Sequence, residues 1–197
     1  MARSSLVHIG RLPGWAGLRG TDAGRTRARQ PTRTKDVRLI VFLDFDGVLH
    51  PDPCRDEQLF EHAPRVARTL EEFPEASVVL STSWRTFLDF QRLTVPLEGT
   101  LRRRVIGVTP RFSEFSAPRA LVPYRRHAEC VQWLADNGMQ DAPWIALDDR
   151  PSWFEPYCEN LIACDALVGF DDVAAARLRT GLLRARRQMT LSLDEIL

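Results

Sequence analysis

LIVFLDFDGVLH, Leu39 to His50, is the stretch that decides the fold. An apolar run leads into Asp44, a second carboxylate follows at Asp46, and Gly47 stands directly behind it. A continuous apolar run is what a strand buried on both faces of a parallel sheet requires. Asp-Gly is a turn signal. Val37–Leu43 is therefore a candidate strand that ends on two acids at a sharp turn.

Working outward, apolar runs alternate with amphipathic stretches. Ser77–Ser81, Arg104–Val108, Trp144–Leu147 and Asn160–Ala163 read as further strands. Pro64–Phe73 reads as a helix, with Val66, Leu70 and Phe73 at helical spacing and Pro64 in the favoured first turn. A short helix is expected around Trp84–Leu93. Another is expected over Tyr124–Asn137, stopped at Asn137-Gly138. Asp171 is placed to cap a last helix through about Arg187. Thr109–Pro123 carries three prolines and reads as loop. This alternation predicts an α/β fold: a Rossmann-like parallel sheet with helices on both faces.

The chain has 197 residues, 44% of them hydrophobic, enough for one domain with a real core. No apolar run approaches the ~20 residues needed to span a bilayer, so no membrane association is expected. Cys54, Cys130, Cys158 and Cys164 form no CxxC pair, which fits reduced thiols in a cytoplasmic protein rather than a disulfide framework or a zinc site. The net charge of +1 hides an asymmetry. Residues 1–38 carry nine Lys/Arg against two Asp/Glu, a net of +7, and the remainder carries 18 against 24, a net of −6. The expected organisation is a basic, disordered arm over 1–36, a catalytic domain over 37–188 and a short tail over 189–197. The arm lacks the continuous apolar core of a secretory signal. A nucleic-acid contact, a targeting role and a merely solvated extension all fit its composition.

In open parallel sheets, ligands sit at the carboxyl ends of the strands. The first strand ends on Asp44, the Trp144 strand on Asp148 and Asp149, and the Ser77 strand on Thr82 and Ser83. If these strands are neighbours, several carboxylates and a hydroxyl meet at one edge. Close carboxylates repel unless a cation neutralises them. Oxygen ligands of this charge suit Mg²⁺.

DFDGVL has the form DxDGxL, and with it the chain resembles the haloacid dehalogenase (HAD) superfamily from about Val37 to Leu183. The resemblance implies that Asp44 is the nucleophile that takes a phosphoryl group, and that Asp46 is the general acid and then base. Superfamily members have a Ser or Thr at the end of a strand that binds the phosphoryl group. VVLSTSWR offers Thr82 first, with Ser83 open and Ser81 beside them. They also carry a Lys or Arg that offsets negative charge. The only lysine is Lys35, in the arm, so an arginine must serve, with Arg126 the first candidate and Arg125 the second. IALDDR supplies the acidic pair: Asp148 as metal ligand with Asp149 in support, joining Asp44 and Asp46 around Mg²⁺. The set DFDGVLH, STSWR, EC..WL (Glu129 to Leu134) and LDD is similar to a small, nearly capless branch associated with Swiss-army-knife RNA-repair systems. Leu49–Glu75 and Arg126–Asp148 are each too short for a folded cap, so no large cap domain is expected.

These residues imply an Mg²⁺-dependent phosphatase working through an aspartyl-phosphate, on nucleic-acid ends, nucleotides or another macromolecular phosphoester. The alternative is a catalytically weak or inactive binding module of an RNA-repair assembly. By default Trp84 belongs to the core, Arg85 to an exposed helix face, and His50 and His127 to the surface, with His62 at a helix start. The Thr109–Pro123 loop, with Arg111, Phe112, Phe115 and Arg119, is the candidate for a local lid or for substrate contact. Trp153, Phe154 and Tyr157 offer either loop packing or a stacking wall.

The arm gives the first testable outcome. Full-length protein should bind single-stranded RNA more tightly than a chain starting at Asp36. Its log–log salt slope should be steeper, by about 0.7 for each additional phosphate neutralised. Equal binding by both chains, measured by fluorescence anisotropy across a salt series, removes the nucleic-acid reading of the arm.

Overall fold

The computed structural model describes residues 38–97 and 99–194. The basic arm of residues 1–36 and the end of the expected tail, residues 195–197, lie outside the described residues. Five strands, β1 (Leu39–Leu43), β2 (Ala76–Leu80), β3 (Val105–Val108), β4 (Trp144–Asp148) and β5 (Leu161–Ala163), form one sheet in the order β3-β2-β1-β4-β5. Every pairing is parallel. The chain builds outward from β1 to β3, then crosses back to lay β4 on the other side of β1. The order therefore reverses between β1 and β4, the switch point where α/β sheets open a ligand crevice.

Alternation along β1 explains why its apolar run is unbroken. Leu39, Val41 and Leu43 enter the larger core. That core is shared with α1 (Ala63–Glu71), α2 (Phe90–Thr94), α3 (Gly99–Arg104) and α5 (Asp172–Asp194). Ile40 and Phe42 enter the smaller core on the opposite face, against Cys130, Trp133 and Leu134 of α4 (Arg125–Asp136) and Phe154. All five β1 residues are fully buried, as a central strand covered on both faces must be. Helices thus flank both faces of a parallel Rossmann-like sheet. Between β1 and β2 there is only a 3-10 turn and α1, so no large cap interrupts the described domain.

Local signals account for most boundaries. Pro64 stands in the first turn of α1, and the Asp171 carboxylate accepts the Ala174 amide at 2.7 Å at the head of α5. The expected helix over Trp84–Leu93 is instead a 3-10 turn, Ser83–Thr86, followed by α2. Asp89 causes the break: its side chain accepts the Arg92 amide at 2.8 Å and starts a new helix. α3 has no amphipathic signature, since Leu101 is its one buried residue. Its end is tied by Arg104, which donates to the Phe73 and Ala76 carbonyls at 2.9 and 3.0 Å. α5 runs on to Asp194, beyond the expected end near Arg187, because no Gly or Pro follows Gly181 to stop it. All four cysteines are free thiols. No helix among the described residues is long and apolar enough to cross a membrane.

Gly47 is the point at which the fold commits to its site. Its φ is +67°, and a Cβ there would stand 2.6 Å from the Asp149 Cβ. Both the left-handed conformation and the close approach exclude a side chain. Gly47→Ala should lower stability by about 2–4 kcal/mol, combining left-handed strain with overpacking, as read by urea denaturation. A loss below about 0.5 kcal/mol would mean that the turn relaxes freely.

Candidate active site

The register of β1 with β4 brings the acids together. Leu43 pairs with Leu147, and the Asp44 amide donates to the Leu147 carbonyl at 3.1 Å. Asp44 and Asp148 therefore emerge side by side at the carboxyl ends of the two strands. Asp149 follows and lies against Gly47. Carboxylate oxygens of Asp44, Asp148 and Asp149 all lie within 4.8 Å of one another. Asp46 is not in that group. The turn after β1 swings its carboxylate toward the segment after β2. There it accepts from Trp84 Nε1 (3.0 Å to each oxygen) and from Ser83 Oγ (3.3 Å), and lies 3.2 Å from His50 Nε2.

Arg126, at the second position of α4, lies among the acids and is only 3% exposed. Its Nη2 donates to Asp44 Oδ2 at 3.3 Å, its Nη1 donates to Glu129 Oε2 at 3.2 Å, and its Nε stands 3.2 Å from Asp148 Oδ2. Arg125 is exposed and lies over the Trp153 ring. Of the two arginines, Arg126 is thus the one within the carboxylate cluster.

Arg126 within the cluster and Arg150, whose Nε pairs with Asp149 Oδ2 at 3.2 Å, face three crowded carboxylates, and the pKa values of those acids are raised all the same. Burial raises the Asp44 pKa well above its ordinary value; Arg126 opposes this, and the charges of Asp148 and Asp46 add to it. Burial pushes Asp148 up to about 6 against Arg126 and the Arg150 amide, with Asp149 adding to the rise. Asp149 is raised as well, first by burial, with the Arg150 guanidinium opposing. Burial works against the charge on Arg126, yet Asp44, Asp148 and Glu129 outweigh it and raise its pKa. The Arg126 Nε–Asp148 Oδ2 ion pair lacks hydrogen-bond alignment, and both atoms are buried without a hydrogen-bond partner. An unsatisfied carboxylate oxygen in an all-oxygen, electron-rich corner fits a hard divalent cation such as Mg²⁺.

The hydroxyls after β2 divide their roles. Ser81 turns to the α4 side, 3.9 Å from the Cys130 sulfur. Thr82 is fully buried, and its Oγ1 accepts the Trp84 amide at 3.3 Å as a cap, which leaves its hydroxyl proton free to donate. Ser83 donates to Asp46. Thr82 and Ser83 both stay at the carboxyl edge of the sheet.

Several expectations for neighbouring residues are corrected. His50 and His127 are buried, at 2% and 9% exposure, not surface groups. His50 closes the turn onto Asp46, and His127 packs against Trp144 and Phe154. Arg85 is not on an exposed helix face: its side chain is 8% exposed and ion-pairs with Glu129 at 2.5 Å. It also donates to the Thr82 carbonyl. Trp84 is a core residue that also holds Asp46. Tyr157 is fully exposed and Phe154 is buried, so they form no wall with Trp153. The Trp153 ring instead has three guanidiniums near it, Arg125, Arg126 and Arg150, at 5.2, 5.3 and 5.5 Å.

Glu129, the first residue of the EC..WL stretch, has a role in the site that the sequence reading does not assign. It lies one turn after Arg126, is 4% exposed, and accepts from Arg126, Arg85 and the Phe112 amide, the last at 2.9 Å. It thereby ties the loop of residues 109–123 to the site. The i, i+3 spacing of Arg126 and Glu129 was the available signal, but such pairs are ordinarily exposed helix partners.

A family model described as the HAD domain in Swiss Army Knife RNA repair proteins matches residues 40–175. No curated protein and no solved structure matches the chain.

The raised acidity constants carry a sign. Between the unfolded Asp value and about 6, the folded state binds the Asp148 proton more readily than the unfolded chain does. Metal-free stability from this group therefore falls as pH rises through that window, and a bound cation relieves the loss. Mg²⁺ should raise the melting temperature more at pH 7 than at pH 5, and Asp148→Ala should remove most of the rise. Equal rises at both pH values, or an unchanged rise in the variant, would contradict a cation site at these residues.

Proposed function

The chain belongs to the family of HAD domains of Swiss Army Knife RNA repair proteins, a hydrolase-type domain, and from that premise we propose that it is a phosphatase using Asp44 as nucleophile. One observation carries this reading: Asp44, Asp148 and Asp149 converge with Arg126 at the point where the strand order reverses. A carboxylate is an adequate nucleophile toward phosphorus when the phosphoryl oxygens are neutralised and held in line.

Asp44, Asp148 and Asp149 would hold Mg²⁺, which supplies charge neutralisation and orientation for the phosphoryl oxygens when bound. An Asp44 oxygen forms a bond to phosphorus as the bond to the leaving oxygen breaks. The leaving oxygen keeps the electron pair and takes a proton from Asp46 in its protonated form. Asp46, then a carboxylate, takes a proton from a water molecule, whose oxygen bonds to phosphorus. The phosphorus–Asp44 bond breaks and its electron pair returns to Asp44, freeing inorganic phosphate. Arg126 and the Thr82 hydroxyl offset and orient the transferring group; Ser83 serves through Asp46.

No large cap covers the site among the described residues, which leaves room for a large substrate as well as a small one. The family's RNA-repair association, together with Arg125 and Arg150 at the rim over Trp153, supports a nucleic-acid terminal phosphate or a nucleotide. Reduced thiols suit a cytoplasmic setting.

Asp44→Asn should abolish phosphate release, a loss of at least about 10³-fold, together with binding of a beryllium fluoride phosphoryl mimic. Asp46→Asn should cost about 10²–10⁴-fold with alkyl phosphates and far less with an activated aryl phosphate, whose leaving oxygen needs little protonation. Full activity of Asp44→Asn ends the covalent mechanism. Cation binding without any phosphate release by the wild type would favour a binding module.

A further inference from the structure

Asp44, Asp148 and Asp149 gather their carboxylate oxygens within 4.8 Å of one another, whereas the Asp46 carboxylate is turned toward side-chain donors of the segment after β2 and of His50. Trp84 Nε1 donates to both Asp46 oxygens at 3.0 Å, and Ser83 Oγ donates to one of them at 3.3 Å. His50 adds a third donor, and its tautomer follows from its other nitrogen. Nδ1 accepts the Phe60 amide at 3.4 Å, so the ring proton sits on Nε2, 3.2 Å from Asp46 Oδ1.

The donors have little freedom. Trp84 and His50 are 1% and 2% exposed. Phe45, Phe60, Trp84 and His50 form a ring of edge-on and tilted contacts with centroids 5.2–6.1 Å apart. Phe60 has φ +62°, a conformation rare for a bulky residue. The amide of that unusual residue is the one that fixes the His50 ring. Backbone strain of this kind clusters at functional sites.

We propose that His50 and Trp84 are positioning residues that reserve Asp46 for proton transfer by keeping its carboxylate out of the cation cluster of Asp44, Asp148 and Asp149. The proposal rests on the reading of Asp46 as the acid/base. A carboxylate two residues from Asp44 is within the field of any divalent cation bound there, and hard cations take six or more oxygen ligands. A ligating Asp46 would be unable to serve the leaving oxygen. The N–H groups of Trp84 and His50 hold the Asp46 carboxylate away from that cluster.

The test compares Trp84→Phe, which keeps the ring and loses the N–H, with His50→Leu and His50→Gln. Calorimetry should show Mg²⁺ binding tightened about threefold to tenfold in Trp84→Phe and His50→Leu. The tightening should vanish when Asp46→Asn is added. Turnover of an alkyl phosphate should fall about 10–100-fold and that of p-nitrophenyl phosphate less than about threefold. His50→Gln, which keeps an N–H donor, should recover much of the loss. If Trp84→Phe does not fold, His50→Leu carries the same comparison. Unchanged Mg²⁺ affinity with equal losses on both substrates would overturn the proposal and leave the aromatic ring as packing alone. If Asp46→Asn itself shows no leaving-group dependence, the acid/base reading fails instead. The Mg²⁺ affinities then still decide whether the donors withhold Asp46.

Discussion

Crowding of buried carboxylates at the ends of β1 and β4 is the constraint on which the rest of this structure depends. Asp44 and Asp148 are 4% and 1% exposed, and each stands where its strand leaves the sheet. Buried charges of one sign are tolerated only with compensation. Arg126 supplies part of it, projecting from the first turn of α4. The strand order, the parallel register of β1 with β4 and the absence of a side chain at Gly47 all serve to bring these groups within a few ångströms. A site assembled this way is short of positive charge, and a phosphoryl ligand would deepen the deficit, which is why a divalent cation belongs in the account.

A second tier of charge stabilises the first. Glu129 accepts from both Arg85 and Arg126, so two guanidiniums share one carboxylate. Burial lowers the Arg85 pKa, Arg126 lowers it further, and Glu129 opposes them. Removing Glu129 would leave two buried cations repelling each other beside Thr82 and Asp44. The same carboxylate accepts the Phe112 amide, so the loop of residues 109–123 is anchored to the charge network rather than only packed on it.

The central strands were legible because buried parallel strands are unbroken apolar runs, as in β1, β2 and β4; β3 and β5 are short and mostly half-buried edge strands that still show as brief apolar runs. The acids were legible because strands ending on Asp44 and on Asp148-Asp149 had to meet if they were neighbours. The helix at Gly99–Arg104 was not legible, since one buried leucine among three arginines carries no period. His50 and Arg85 were misread as surface groups because polar residues near a helix or turn are usually solvated. Nothing local announces that a turn will fold His50 back over Asp46, or that Glu129 will bury Arg85. Trp84 was read as core and is core; its indole N–H acquires a role only because Asp46 lies beside it. Tertiary pairing of residues far apart in the chain decides these cases, and one sequence does not display it.

The stereochemical course at phosphorus tests the central claim most directly, because it counts displacements whatever the substrate's identity. A phosphomonoester made chiral with the three oxygen isotopes would be hydrolysed by the Mg²⁺-loaded protein and the configuration of the product phosphate read. Attack by Asp44 followed by attack of water inverts phosphorus twice, and the account predicts overall retention. Overall inversion would mean a single direct displacement by water, and would contradict Asp44 as nucleophile.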